Sequence, residues 1–427
     1  MDIQKEIDLC ALHGGGIVTV PSGNYRTGTI FMRNGVTLHL ESGVHLTGSD
    51  DIQDYPLPVD LFSDGANQLR GRSLILAENV SDIGITGNGV IDGNGKMFRP
   101  DSAEFSMRPM LLRCVNSRNI RLKGLKLRSP AAWTCHLRNC ENVVISELDI
   151  EAHSNCNNDG VDIDSCRHVI VSDCHIDSGD DAICLKSTLP SPCENIEIKN
   201  CQLASHCSAL KIGTETYGDI RQISIHDCQI RNAGLGAIKL LSADGAIIEN
   251  IKVSNIEILS AAVPVFLRLA TRGRTYSVSE QPKKAGMIRQ IQFSHLYGKI
   301  TFRDQPIINV AQKMTTPVYG HSCLAVMGLP EQPVEDIQLN DIKLEFPGGM
   351  FHKHSLPVPE YVSIYPEIGY YGILPASCVY LRHVKNITFD DFTSSLTMED
   401  YRPPFVSDHT ADLQMQNIIL PVSGKRT

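Results

Sequence analysis

The sequence predicts an all-β chain: a single-stranded, right-handed parallel β-helix, a solenoid, closed at its start by a short N-terminal capping helix. Three observations predict it. A nine-residue strand pattern recurs along most of the 427 residues. Helical patterns are absent between the copies, which argues against leucine-rich or ankyrin-type repeats. Two files of cysteines recur with the same step as the strands. Each copy alternates apolar and polar residues, so one strand face is buried. No single coil can bury that face alone, but a stack can. Right-handedness follows the rule for parallel crossovers.

The helix comes first. Ile3, Ile7, Cys10 and Ala11 fall at i, i+4, i+7 and i+8, an amphipathic stripe within residues 1–13. Asp2 is its candidate N-cap, and Gly14-Gly15-Gly16 ends it. These glycines are not read as a phosphate loop. They follow a helix rather than open one, and no Gly-Lys-Ser/Thr comes after them.

The repeat comes next. It reads DIGITGNGV from Asp82, NIRLKGLKL from Asn119, NVVISELDI from Asn142 and HVIVSDCHI from His168. It continues as NIEIKNCQL from Asn195, QISIHDCQI from Gln222 and NIKVSNIEI from Asn250. The last copies are QIQFSHLYG from Gln290, DIQLNDIKL from Asp336 and NITFDDFTS from Asn386. Steps between copies are 37, 23, 26, 27, 27, 28, 40, 46 and 50 residues. The regular middle fits a coil of two or three short strands. The long late steps predict loop insertions around 262–286, 301–330 and 346–378. Residues 1–427 are accordingly expected to form one domain, although length alone suggests about three.

Cys174, Cys201 and Cys228 share a slot that holds Leu, Ile or Phe in other copies, and Cys140, Cys166 and Cys193 form a second file. Files of that kind are stacked, buried thiols. Zinc would call for paired C-x2-C spacing, which is missing.

Composition excludes other classes. The formal charge is −9, so a general nucleic-acid binder is not expected. Charged residues at 20% and hydrophobic ones at 42% fit neither a disordered nor a membrane chain. No apolar run approaches the ~18 residues of a membrane span. Residues 1–5 lack a signal-peptide pattern. A cytoplasmic protein is therefore expected, or a secreted or periplasmic one whose leader has been removed.

Chemistry concentrates in Asn157-Asn158-Asp159-Gly160-Val161-Asp162-Ile163-Asp164 and Ser178-Gly179-Asp180-Asp181-Ala182-Ile183-Cys184-Leu185-Lys186. Asp159 and Asp180 are 21 residues apart, close to one coil. Strands in neighbouring coils lie about 4.8 Å apart, so these carboxylates should converge. Clustered carboxylates persist where a raised pKa is useful. Glycoside hydrolysis uses such a set without a cofactor, one acid protonating the leaving oxygen and another carboxylate activating water. Two other readings stand beside it. Asp162 and Asp164 are also suited to bonding turn backbone, and a carboxylate cluster also suits calcium.

At these residues the chain resembles the family 28 glycoside hydrolases, the polygalacturonases. The resemblance runs from GGGIVTVPSGNYRTG to LRHVKNITF and includes SPAAWTCHLRNCENV, where Trp133 serves as packing or cleft wall. It implies an inverting mechanism, with Asp180 as general acid and Asp159 and Asp181 holding and activating the water. It implies no cofactor and no metal, and an oligo- or polysaccharide substrate derived from pectin. Two departures mark the chain. Ser208 stands where the family's G-H-G motif has His, leaving His206 either as its replacement or as a surface histidine. The family's R-I-K motif reads Ala237-Ile238-Lys239: Lys239, the sugar-carboxylate contact, is kept and the Arg is lost. Lys211 lies in the same stretch as Ser208. Arg268, Arg272 and Arg274, and the segment Tyr365–Gly372 with Glu367 and Tyr371, resemble segments of bacterial members described as exo-acting or of unknown specificity. They are expected to contact substrate or, for the arginines, to be solvated loop charges. The expectation is an exo-acting glycosidase on galacturonate- or rhamnogalacturonan-type oligosaccharides. The alternatives are a lyase or epimerase using Lys186, Lys211 or Lys239, and a non-catalytic carbohydrate-binding β-helix.

Overall fold

The computed structural model of the chain describes residues 1–65, 67–301, 323–350 and 357–423, together with the backbone of 308–309 and 314–315. The fold is the right-handed parallel β-helix that the repeat predicts. It divides into two compact units, Met1–Gln202 and Leu203–Thr427. No helix among the described residues is long and apolar enough to cross a membrane.

The N-terminal helix spans Ile3–Leu12, with the Asp2 carboxylate accepting from Lys5 N at 3.1 Å. Ile3 and Ile7 are its buried residues. Gly14 and Gly15 end it at φ of 92° and 94°. A side chain at Gly15 would put its Cβ 2.5 Å from the Gly35 carbonyl oxygen, so only glycine fits.

In the first unit the second residues of the repeats face one another in register: Ile83, Ile120, Val143, Val169 and Ile196. In the second unit the file is Ile223, Ile251, Ile291, Ile337 and Ile387. None of these ten is more than 3% exposed. Burying each contributes about 1.5–3 kcal/mol relative to leaving it in water. A one-residue slip would turn the whole file outward.

The first residue of every copy, from Asp82 to Asn386, is left-handed, with φ between 53° and 58°. So is the sixth residue, which is Gly87, Gly124, Glu147, Asp173, Asn200, Asp227, Asn255, His295, Asp341 or Asp391. Four extended residues thus lie between two corners. Glycine and short polar side chains occupy that conformation at least cost, which is why most copies open on Asn or Asp. The corner amides also bond along the stack: Asn142 Nδ2 donates to Asn119 Oδ1 at 3.2 Å, and Asn119 Nδ2 to Asp82 Oδ1 at 2.8 Å.

All fourteen cysteines are free thiols. The six in the two files are at most 3% exposed. Cys174, Cys201 and Cys228 each donate to the carbonyl two residues earlier at 3.2 Å. Burial pushes the Cys193 thiol up to about 12, which leaves it protonated and unreactive at neutral pH.

A file of alternating charge also emerges. In the first unit Arg118, Glu141, Arg167 and Glu194 face one another in sequence. In the second the order is Arg221, Glu249, Arg289, Glu335 and Lys385. Arg289 Nη2 lies 2.7 Å from Glu249 Oε2.

The insertion around 262–286 holds a strand, Val265–Leu269, before its loop. Most of the 301–330 insertion and residues 351–356 of the third lie outside the described residues; the third holds a short 3-10 turn, Ile368–Tyr371.

Asn142 is exposed, so its substitution tests the corner itself. Asn142→Val should cost about 1–2 kcal/mol in urea unfolding, because a β-branched residue resists φ near 55°. Asn142→Gly should cost far less.

Candidate active site

The aspartates sit on the turns that lead into two stacked strands, Val161–Asp164 and Ile183–Ser187. The turns pair before the strands do. Thr134 N donates to the Asp159 carbonyl at 2.9 Å, and Gly160 N to the Asp181 carbonyl at 2.9 Å. Gly160 is required here: a Cβ on it would lie 2.4 Å from the Ala182 carbonyl oxygen. Stacking brings Asp159, Asp180 and Asp181 together, with one oxygen of each within 4.8 Å of the others. Asp159 and Asp181 are each 3% exposed, whereas Asp180 is half-buried. The spacing is shorter than the ~6.5–9.5 Å between carboxyl groups of an acid and base that admit water. It is short enough for a single water to bridge, since two hydrogen bonds of ~2.8 Å at a tetrahedral angle reach about 4.6 Å.

Asp159 is under strong electrostatic pressure. Burial, then Asp162 and Asp180, push its carboxyl well above the ordinary carboxylate range, while Lys186 pulls the other way. Asp159 Oδ1 is buried without a hydrogen-bond partner, so a polar atom brought to it gains a desolvated acceptor. Lys186 Nζ stands 3.8 Å from Asp159 Oδ2, 2.9 Å from Asp162 Oδ1 and 3.6 Å from the centre of the Trp133 ring. That ammonium is the positive charge set against the cluster.

Asp180 is held from the other side. Asn157 Nδ2 donates to Asp180 Oδ2 at 3.3 Å, and Asp181 N donates to Asp180 Oδ1 at 3.1 Å. The Asn157 oxygen accepts from Arg108 Nη2 at 3.2 Å and Arg70 Nη2 at 3.3 Å, which orients the amide. Arg70 is itself paired with Asp64 at 2.8 Å, and both are buried. Burial and the neighbouring Arg70 push the Arg108 guanidinium down to about 9.

The outer strand face on the N-terminal side of the cluster is covered. A small hairpin, Phe62–Ser63 with Leu69–Arg70, lies over it. Phe62 packs 5.8 Å from Trp133 and 5.1 Å from His136, ring centre to ring centre. Asp60 clamps Arg113 at 2.7 Å and Arg138 at 2.6 Å. Arg113 and His136 face outward from the sheet yet are 0% exposed. Burial, then Arg113 and Lys186, holds His136 well below its usual range, hence neutral.

The second unit carries the other expected site residues. His206 is exposed on a turn, whereas Ser208 is buried on the following strand. Lys239 is 0% exposed and closed on Glu367, with Nζ 2.6 and 2.7 Å from the two carboxylate oxygens. Arg268 Nε donates to the buried Tyr371 hydroxyl at 2.8 Å, and its other nitrogens reach the carbonyls of Gly328, Glu360 and Tyr361. Both cations therefore pin the segment that runs from Glu360 to Tyr371. Arg272 is bonded to Asp244 and Thr214. Lys211 Nζ donates to the Tyr365 hydroxyl at 3.3 Å. Lys211 and Arg272 lie 5.9 and 6.0 Å from the centre of the half-buried Tyr365 ring.

Sequence reasoning missed the Phe62 cover, the Asn157 support of Asp180 and the lean of Lys186 toward Asp159. Only Lys186 carried a signal, as a charged residue in a strand whose neighbours are apolar.

The chain is 30% identical over 253 residues to a probable polygalacturonase of Vitis vinifera, covering 55% of this chain and 51% of that protein. It is 27% identical over 231 residues to an exo-poly-alpha-D-galacturonosidase of Dickeya chrysanthemi, covering 42% of this chain and 38% of that protein. The chain thus spans about half or less of these relatives' length. Among solved structures, the family 28 exopolygalacturonase of Yersinia enterocolitica superposes with a TM-score of 0.71 at 17% identity, over 100% of this chain and 75% of that one. The Thermotoga maritima exopolygalacturonase gives 0.65 at 21% identity, over 80% and 82%. The model of glycosyl hydrolases family 28 matches residues 10–320, and the chain belongs to that family.

Proposed function

We propose that the chain is an inverting glycoside hydrolase that removes sugars from the ends of pectin-derived oligosaccharides, of galacturonate or rhamnogalacturonan type. The observation that carries the hydrolase reading is the convergence of Asp159, Asp180 and Asp181, with one oxygen of each within 4.8 Å of the others; the inverting course is what the likeness to family 28 implies. Asp180, half-buried and reachable from solvent, is assigned as the acid that protonates the leaving oxygen. Asp159 and Asp181, 3% exposed, hold the water and take its proton. A second assignment places the acid proton on Asp159, and the crowding of that carboxyl by burial, Asp162 and Asp180 favours it.

Action from the chain end is supported by the cover over the first unit's outer face. An enzyme that cuts within a polymer needs a groove running past several coils. Here Phe62, Asp60 and Arg70 close that face beside Trp133. The Dickeya relative, an exo-poly-alpha-D-galacturonosidase, points the same way. Lys239 and Arg268 have their charges committed to the loop.

Asp180→Asn should lower kcat by about 10²–10⁴-fold on pectic oligosaccharides, with an unchanged circular dichroism spectrum. Turnover at the wild-type rate would overturn the acid assignment. On a substrate with a nitrophenol leaving group, which needs no acid, Asp180→Asn should recover activity and Asp159→Asn should not. The reverse pattern selects the second assignment.

Early products from a long oligomer should be monomers or dimers alone by chromatography. Proton NMR should find the new reducing end in the anomeric form opposite to the bond cleaved. Retention would overturn the inverting course.

A further inference from the structure

We infer that Lys186 is a positioning residue of the hydrolytic site, its ammonium clamped between Asp162, Asp159 and the Trp133 ring so that it favours the anionic form of Asp159, the form that accepts the water's proton. The inference rests on the glycosidase reading above and assigns a part to a side chain outside the three aspartates.

Register explains how Lys186 arrives there. On its strand it stands opposite Asp164, while Asp162 stands opposite Cys184. Asp164 is already engaged: Thr188 N and Ser165 Oγ donate to its Oδ1 at 2.7 and 2.8 Å, and Arg138 Nε lies 3.4 Å from its Oδ2. Lys186 therefore leans along the diagonal toward Asp162, a reach of one residue pair that a long side chain makes readily. The ammonium ends 2.9 Å from Asp162 Oδ1, 3.8 Å from Asp159 Oδ2 and 3.6 Å over Trp133. Lys186 is 4% exposed, so water screens these interactions little.

Asp159 faces Asp162, Asp180, Asp181 and Lys186, with Arg108 at longer range. Lys186 faces Asp159, Asp162 and the neutral His136. A buried carboxylate beside three others takes up a proton readily. A cation at hydrogen-bonding distance from Asp162, and one ångström farther from Asp159, weakens that uptake on the Asp159 side. Asp180 is the half-buried member of the cluster, open to solvent, whereas Lys186's partners Asp159 and Asp162 are buried. The same ring that seats the ammonium belongs to the chain's single tryptophan, so its fluorescence reports on the cluster without substrate.

The test is Lys186→Met, which keeps the stem and removes the charge. Asp159 then binds its proton at higher pH, so the acidic limb of the kcat/KM profile should move up by at least about one unit. One pH unit below the wild-type limb, activity should fall about tenfold further than in wild type. KM should change little, and Lys186→Arg should move the limb back toward its original place. The pH titration of Trp133 fluorescence should shift in the same direction. An unmoved limb and an unmoved titration, with or without a lower melting temperature, overturn the inference. Asp180→Asn, run in parallel, separates the two claims. If it abolishes hydrolysis while Lys186→Met moves neither readout, only the role of Lys186 falls. If the wild type hydrolyses no pectic glycoside, the glycosidase reading falls and takes the role of Lys186 with it.

Discussion

Two left-handed residues, five positions apart, bend the chain in every copy of the repeat. That constraint carries the rest. With both corners fixed, the four residues between them have no freedom to slip, and each coil lays its slots on those of its neighbour about 4.8 Å away. A slot then repeats its chemistry through the stack. One slot is a column of isoleucine and valine, another a column of thiols bonded to carbonyls, another a column of corner amides. The corners also explain why the fold tolerates long insertions: an insertion placed outside the four-residue segment leaves the stacking untouched.

The aspartate cluster is the same rule applied to carboxylates. In an irregular protein three aspartates would drift apart unless several elements converged to hold them. Here stacking imposes the approach, because Gly160 N and the Asp181 carbonyl are locked by backbone pairing. The surroundings then decide the chemistry. Lys186 and Trp133 back Asp159, and the amide of Asn157, oriented by Arg70 and Arg108, supports Asp180. In the second unit a different economy holds. Lys239 and Arg268 are spent on keeping the segment around Glu367 and Tyr371 in place, and that segment in turn presents Tyr365.

Much of this was legible in the sequence, because a solenoid writes its geometry as a period. The marker isoleucines, both cysteine files and the pairing of the Asp159 and Asp180 segments follow from spacing alone. The sixth-position corners were legible too, as a polar residue or glycine before the Cys/Leu slot, but only once φ gives that residue a meaning. What periodicity could not convey are contacts between the stack and what folds over it. Lys239 meets Glu367 across 128 residues, and nothing in the spacing of either announces the other. Phe62 lies outside the repeat and still decides which strand faces are open. His206 and Ser208 are two residues apart, yet one is exposed and the other buried, because a turn ends between them.

The file of alternating charge sets a rule about length. Arg118, Glu141, Arg167 and Glu194 change sign at every coil, as do Arg221, Glu249, Arg289, Glu335 and Lys385. Removing or duplicating one coil inside either run would bring two like charges face to face, a destabilising contact. Removing or duplicating two would restore the alternation. The solenoid therefore has a parity: along these runs it grows and shrinks most readily by pairs of coils.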